Sequence, residues 1–238
     1  MMTKTYSVKS VFMIFCYLCM TAIVSDSLMN KTITPNEYRQ ELRLRLLRVA
    51  MREFRSKGIK AVKMDDIANI LSVSKRTMYE TFENKEHLLM ESVKAEYDGF
   101  DRHMQAFAAE KERHVIDFIL ETYRLHMESL KDTVPNYYAD LRKYPKVLAW
   151  MEARHNEFQE RTCRFFEQGV RQGYFRQDVN YELIYRVTTG SLIYIMENQM
   201  YKQYDLKQIF RDIVMLYFRG LCTKKGITEL DNQIVALS

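Results

Sequence analysis

Only seven glycines and three prolines interrupt 238 residues. A sandwich or barrel of short strands needs a turn signal about every 8–12 residues, and ten breakers cannot supply them. The same scarcity excludes collagen-like and low-complexity chains. Hydrophobic residues make up 47% of the chain and charged residues 28%, which is enough apolar material for a core and too much for disorder over most of the length. The expectation is an all-α fold arranged as one large or two small domains.

The net charge of +5 is unevenly placed. Residues 29–97 hold 14 Lys and Arg against 10 Asp and Glu, a surplus of 4, whereas residues 98–238 hold 20 of each. The surplus is densest in 39–63, where Arg39, Arg43, Arg45, Arg48, Arg52, Arg55, Lys57, Lys60 and Lys63 face only Glu41 and Glu53. A basic head followed by a neutral body suits a polyanion-binding unit joined to a unit with another task. A solvated helix face would carry the same charge, so the reading needs a motif.

The amino terminus points elsewhere. Lys4 and Lys9 precede a run from Val11 to Val24 that is apolar except for Thr21, and small Ser25 and Ser27 follow. This is the layout of a secretory leader, too short for an ordinary membrane-spanning helix. Met29 opens Met-Asn-Lys-Thr-Ile-Thr-Pro just ahead of the first helix, and we read it as the translation start, with 1–28 an overextended reading frame. If the leader is used instead, the chain is an exported or membrane-attached helical binding protein. The expected segments are a leader at 1–28, a head at 29–97, a body at 98–228 and a tail at 229–238.

Cys16 and Cys19 form a C-x-x-C inside the apolar run with no second ligand pair, and Cys163 and Cys222 stand alone. His87, His103, His114, His126 and His155 fall in no close ligand spacing. Neither a glycine-rich phosphate loop nor a nucleophile elbow occurs. No metal, cofactor or catalytic residue is expected, which argues against a helical enzyme.

Helix signals are strongest between residues 34 and 97. Thr34, Pro35 and Glu37 make a helix start with a capping box. Leu42, Leu46, Ala50 and Phe54 recur at spacing four opposite the arginines, and Gly58 is a left-handed stop. In the next segment Asp65 and Asp66 suit a helix amino terminus, while Ile67, Ile70 and Leu71 form a buried face with small Ala68 allowing close approach. Only Ser72 and Val73 separate Leu71 from Ser74, the cap of a further helix. Two short helices joined so tightly form a helix-turn-helix.

At 100° per residue, Met78 and Phe82 of the second helix point inward. Arg76, Thr77 and Glu80 lie on the far side with Tyr79 beside them, and Lys75 sits in the exposed first turn. Such a helix fits the major groove. Arg76 can meet guanine with a two-pronged fork, Thr77 a base or a thymine methyl, and Lys75 and Tyr79 phosphates. Asn84 caps a fourth helix expected to end near Tyr97, and Lys85 at its start adds a phosphate contact. With Lys63 at the entry to the second helix, the candidate DNA-contacting set is Lys63, Ser74, Lys75, Arg76, Thr77, Tyr79 and Lys85.

At these residues the sequence resembles the TetR/AcrR family of transcriptional regulators. Met64-Asp65-Asp66-Ile67-Ala68, Val73-Ser74-Lys75-Arg76-Thr77-Met78-Tyr79 and Phe82-Glu83-Asn84-Lys85-Glu86-His87-Leu88-Leu89 carry the match, within about residues 38–95. Lys63 stands where the family usually has Thr or Ser, and Ser72 where it usually has Gly. The resemblance implies a three-helix DNA-binding domain joined to a larger helical ligand-binding and dimerisation domain.

Beyond residue 97 helices are expected at about 113–133, 136–143, 146–173, 180–201 and 205–223, with Gly173 and Gly226 at helix ends and Phe175 folding back on the helix before it. The resemblance implies that the pair at 180–201 and 205–223 forms a four-helix interface with a second copy. It also implies an apolar effector pocket, for which Phe118, Tyr123, Met127, Tyr138, Trp150, Phe158 and Tyr194 are the candidate lining. The expected partners are a double-stranded pseudo-palindromic operator, a small hydrophobic effector and a second copy of the chain, and the expected activity is that of a cytoplasmic, ligand-responsive repressor.

Overall fold

A computed structural model describes residues 35–110 and 112–235. The leader-like segment, the Met29 start, and Cys16 and Cys19 lie outside the described residues. Those residues contain ten α-helices, one 3-10 turn and no strand beyond an isolated bridge between Phe175 and Cys222. They form two compact units, one of residues 35–103 with 132–147 and the other of 104–131 with 148–235.

The head contains α1 (Pro35–Lys57), α2 (Met64–Ile70), α3 (Lys75–Thr81), most of α4 (Lys85–Glu110) and α6 (Pro135–Leu141). Leu46, Ala50 and Phe54 of α1 are fully buried with Ile67, Ala68, Met78, Phe82, Leu88, Leu89 and Val93. A buried side chain of the size of Leu46 or Phe54 contributes about 1.5–3 kcal/mol. Gly58 ends α1 with φ +86°, and a Cβ there would meet Asn136 Cβ at 3.2 Å. A side chain at this turn would therefore be both strained and crowded.

Two expectations are corrected in the head. Helix α4 continues to Glu110 instead of ending near Tyr97, because Gly99 is the only breaker in that stretch and lies buried within the helix. The short helix expected in the body, α6, packs in the head. The Val134 N–H donates to the Arg55 carbonyl at 2.9 Å, and the Lys60 N–H donates to the Asp140 carboxylate at 2.7 Å. Nearby, Tyr137 OH lies 3.8 Å from Met51 sulfur.

The body contains α5 (Val115–Leu130), most of α7 (Pro145–Arg171), α8 (Tyr181–Glu197), the 3-10 turn Met200–Lys202, α9 (Leu206–Leu221) and α10 (Lys224–Val235). Gly173 has φ +77°, as the sequence requires for a helix stop, and the chain then turns Phe175 back over α7. Gly169 leaves room for that ring, since a Cβ would stand 2.0 Å from it. Phe166 and Tyr181 stack beside it with centroids 4.7 Å apart.

The carboxyl end differs from the expected tail. Thr223 caps α10, its hydroxyl accepting from the Gly226 N–H at 3.2 Å, and Leu230 is fully buried. Gly226 therefore lies in the first turn of a helix and not at a helix end. Its hydrogen is needed because a Cβ would stand 2.3 Å from the Tyr174 carbonyl oxygen.

Candidate nucleic-acid interface

The turn between α2 and α3 is built from local hydrogen bonds. Ser72 adopts φ +54°, its N–H donates to the Asn69 carbonyl at 3.1 Å, and the Val73 N–H donates to the Ala68 carbonyl at 3.0 Å. This pair is the Schellman arrangement, which usually takes glycine at its left-handed position. Ser74 then caps α3, accepting from the Thr77 N–H at 3.0 Å. At the start of α2 the Lys63 side chain makes no cap, and Asp66 accepts from the Lys63 N–H at 2.9 Å.

Burial of Met78 and Phe82 fixes the roll of α3 and turns its other face to solvent. The Arg76 side chain is 87% exposed and Tyr79 is 52% exposed, with Lys75 and Ser74 exposed beside them. Thr77 is half-buried, its hydroxyl 2.8 Å from that of Ser74. Lys75, Arg76, Thr77 and Tyr79 are thus brought together on one outward surface, and Lys63 is exposed at the entry to α2.

Both cations of α3 are paired. Lys75 lies 2.5 Å from Asp65, whose hydrogen bond and charge hold the ammonium pKa above its usual value. Arg76 Nε donates to Glu80 at 2.7 Å, and that hydrogen bond and charge raise the guanidinium pKa. Asp65 and Glu80 were not among the expected site residues. The i,i+4 spacing of Arg76 and Glu80 was the available signal for the second.

Lys85 requires a correction. Its ammonium faces the carbonyls of Ile59, Lys60 and Val62 at 2.8, 3.4 and 2.6 Å, and burial lowers its pKa. Its three donors serve the α1–α2 loop, so Lys85 positions that loop instead of offering a free cation to phosphate. Part of the basic surplus of α1 is likewise consumed. Arg43 pairs with Glu91 at 2.5 Å and Arg55 with Glu96 at 2.9 Å, leaving Arg39 and Arg45 exposed.

The structure places the candidate effector residues in different settings. Tyr138 is fully buried in the head, edge-on to Tyr137, because α6 packs there, and it leaves the body set. Tyr194 is 61% exposed on α8, so it lines no enclosed pocket. Tyr123 stacks on Phe210 at 5.8 Å, Met127 and Trp150 are half-buried, and the Phe158 side chain lies outside the described residues. Phe118 lines an open groove of about 780 Å³ with Val115, Arg164, Phe165, Glu167, Gln168 and Arg171. His126 is fully buried against Phe210. Its Nδ1 is 2.5 Å from the Thr122 carbonyl, and its Nε2 has no hydrogen-bond partner among the described residues.

Residues 46–91 match the family described as bacterial regulatory proteins, tetR family. The chain is a DNA-binding transcriptional regulator whose head carries a tetR-family domain. The HTH-type transcriptional repressor KstR2 of Rhodococcus jostii (strain RHA1) is 24% identical over 148 residues, which span 60% of the regulator and 72% of that protein. The fold is shared with the fatty acid degradation regulator FadR from Bacillus halodurans, with a TM-score of 0.56 at 19% identity over 80% of this chain and 98% of that one. A structure described as the molecular basis for control of antibiotic production by bacterial hormones superposes with a TM-score of 0.51 at 15% identity, covering 77% and 98%. In the regulator, no helix among the described residues is long and apolar enough to cross a membrane.

Proposed function

We propose that the regulator is a cytoplasmic, ligand-responsive homodimeric repressor without catalytic activity. Two copies of α3 enter successive major grooves of a pseudo-palindromic operator about one DNA turn apart. Arg76 reads a base edge, Thr77 contributes a base or methyl contact, and Lys63, Ser74, Lys75 and Tyr79 hold the backbone. The observation that carries this reading is the exposed Lys75, Arg76 and Tyr79 face on a helix rolled by buried Met78 and Phe82.

Support for a dimer comes from the body. Leu183, Val187 and Tyr194 form an exposed apolar stripe on α8, and Leu216 of α9 is also exposed. The two helices are linked by Ser191 and Tyr217, whose hydroxyls lie 3.1 Å apart. An effector held in the body would favour one dimer shape over another, and operator affinity would fall by its differential affinity for the two. Repression is favoured over activation by the likeness to a repressor.

Genome-wide capture of DNA fragments by the purified full chain tests the reading, followed by gel shifts on a recovered site. Arg76→Ala is expected to lower operator affinity at least 30-fold, on the order of 2 kcal/mol for two lost base contacts, with unchanged melting. Equal affinity for the recovered site would refute the assignment.

A further inference from the structure

The outer face of α3 carries one acidic side chain, Glu80, which DNA phosphates repel. It does not pack into the core and its side chain is 60% exposed. Among the described residues its one hydrogen-bond partner is Arg76, whose Nε donates to one carboxylate oxygen at 2.7 Å.

We propose that Glu80 is a specificity-determining residue. It holds the Arg76 guanidinium so that the two terminal nitrogens meet a guanine edge as a fork, and it opposes collapse of that cation onto a phosphate. The inference rests on the proposed reading of DNA through α3.

Guanidinium carries five N–H donors in one plane, and the fork that matches guanine O6 and N7 needs only some of them. With Nε engaged by Glu80, the plane has a fixed edge, and the terminal nitrogens make no hydrogen bond among the described residues. Arg76 and Glu80 are four residues apart, which places them about 40° apart on the helix, so the buttress lies on the reading face. Without it, a side chain as exposed as Arg76 samples many rotamers and reaches phosphates on either side. The second Glu80 oxygen repels phosphate and accepts only from base donors such as the cytosine N4 amine. That is a penalty on misplaced docking, the repulsive element that discrimination requires. Lys75 contrasts with this, since its ammonium beside Asp65 is a point charge without a plane to orient. A backbone contact fits it better.

The test uses the full chain and a randomised duplex library, followed by titration of the selected site and of a scrambled duplex at several salt concentrations. The unaltered protein is expected to select guanine at one position of each half-site, and Arg76→Ala to lose that preference. Glu80→Ala should cut the preference at the same position about tenfold. Its affinity for scrambled duplex should rise, with a salt slope steeper by about one phosphate contact per protomer. Glu80→Gln keeps an acceptor oxygen and should retain most of the guanine preference. Unchanged preference in Glu80→Ala overturns the proposal, as does a loss in Glu80→Gln as complete as in Glu80→Ala. If the unaltered protein selects no sequence, the reading of DNA through α3 fails instead, so the two failures are separate.

Discussion

The proposed recognition face of the head and the aromatic interior of the body are positioned over different distances along the chain. On the proposed face, Ser72 bonds Asn69, Ser74 caps toward Thr77 and Arg76 pairs with Glu80, all within four residues, and Lys75 reaches back only as far as Asp65 in the preceding helix. In the body, the Val115 N–H is satisfied by Gln172, Gln233 reaches Asp117 and Tyr123 stacks on Phe210, partners that lie at least 57 residues apart. On a surface specified locally, a change reaches the partners within its own turn and stops there. A packed interior specified at long range passes each change to several elements.

The largest effect on stability should therefore come from a small change in the body. Gly169→Ala drives a methyl to 2.0 Å from the Phe175 ring, and that ring is wedged among Phe165, Phe166 and Tyr181. Overpacking of this kind costs about 1–3 kcal/mol, and the absence of open space puts Gly169→Ala at the upper end. Denaturant unfolding followed by near-UV circular dichroism should show a lower midpoint. An unchanged midpoint would mean that Phe175 does not sit over Gly169.

The next test concerns a residue where the two regions' logic crosses. Lys85 was expected among the DNA contacts but is held by a loop more than 20 residues away. Lys85→Ala should destabilise the head by about 1–2 kcal/mol through the three carbonyls it leaves, seen as a lower midpoint. A mere phosphate contact would behave differently. Stability would be unchanged, and the salt slope of DNA binding would fall by about one per protomer.

These contrasts explain what was legible in the sequence. Gly58, Ser72 and Ser74 were readable because each serves its own turn, and the all-helical class and the helix-turn-helix followed from spacing. Gly226 was misread because its role is set by the Tyr174 carbonyl, which sequence spacing does not display. A local signal for α10 did exist, in Thr223 as a cap and Ile227 and Leu230 on one face. Tyr138 was misplaced because nothing within α6 says which unit buries it. On the recognition face Lys75, Arg76 and Tyr79 were legible as exposed residues, whereas the inward turn of Lys85 depends on the α1–α2 loop.

Ser72 offers a smaller, purely local test. A non-glycine residue at φ +54° costs on the order of 1 kcal/mol. The return is reduced because glycine also loses more freedom on folding. Ser72→Gly should raise head stability by about 0.5 kcal/mol while leaving DNA affinity unchanged, since Ser72 lies outside the proposed contacts. A fall in melting temperature would show that the serine side chain supplies something the turn geometry does not.

The smallest effect should be a pH dependence in the head's long-range clamp. Burial raises the Asp140 pKa, but hydrogen bonds from Lys143 and the Lys60 N–H outweigh it, leaving the carboxyl below its ordinary value of 3.8. A carboxylate depressed in the folded state contributes stability that is fully present above the ordinary pKa. That contribution is lost as pH falls through the lower folded value. The loosened contact is the one by which Asp140 of α6 holds the Lys60 amide in the α1–α2 loop, so the head should weaken in acid below about pH 4. Asn at position 140 keeps an acceptor for that amide but has no proton to gain. Asp140→Asn should therefore lower stability slightly at neutral pH, where the Lys143 charge is no longer paired, and flatten the acid limb. Melting curves of the two proteins between about pH 6 and pH 3 should converge as acid is added. Parallel curves would place the acid sensitivity on other carboxylates, of which Glu91, also depressed below its ordinary value by Lys94 and Arg43 against the opposing effect of burial, is the next to examine.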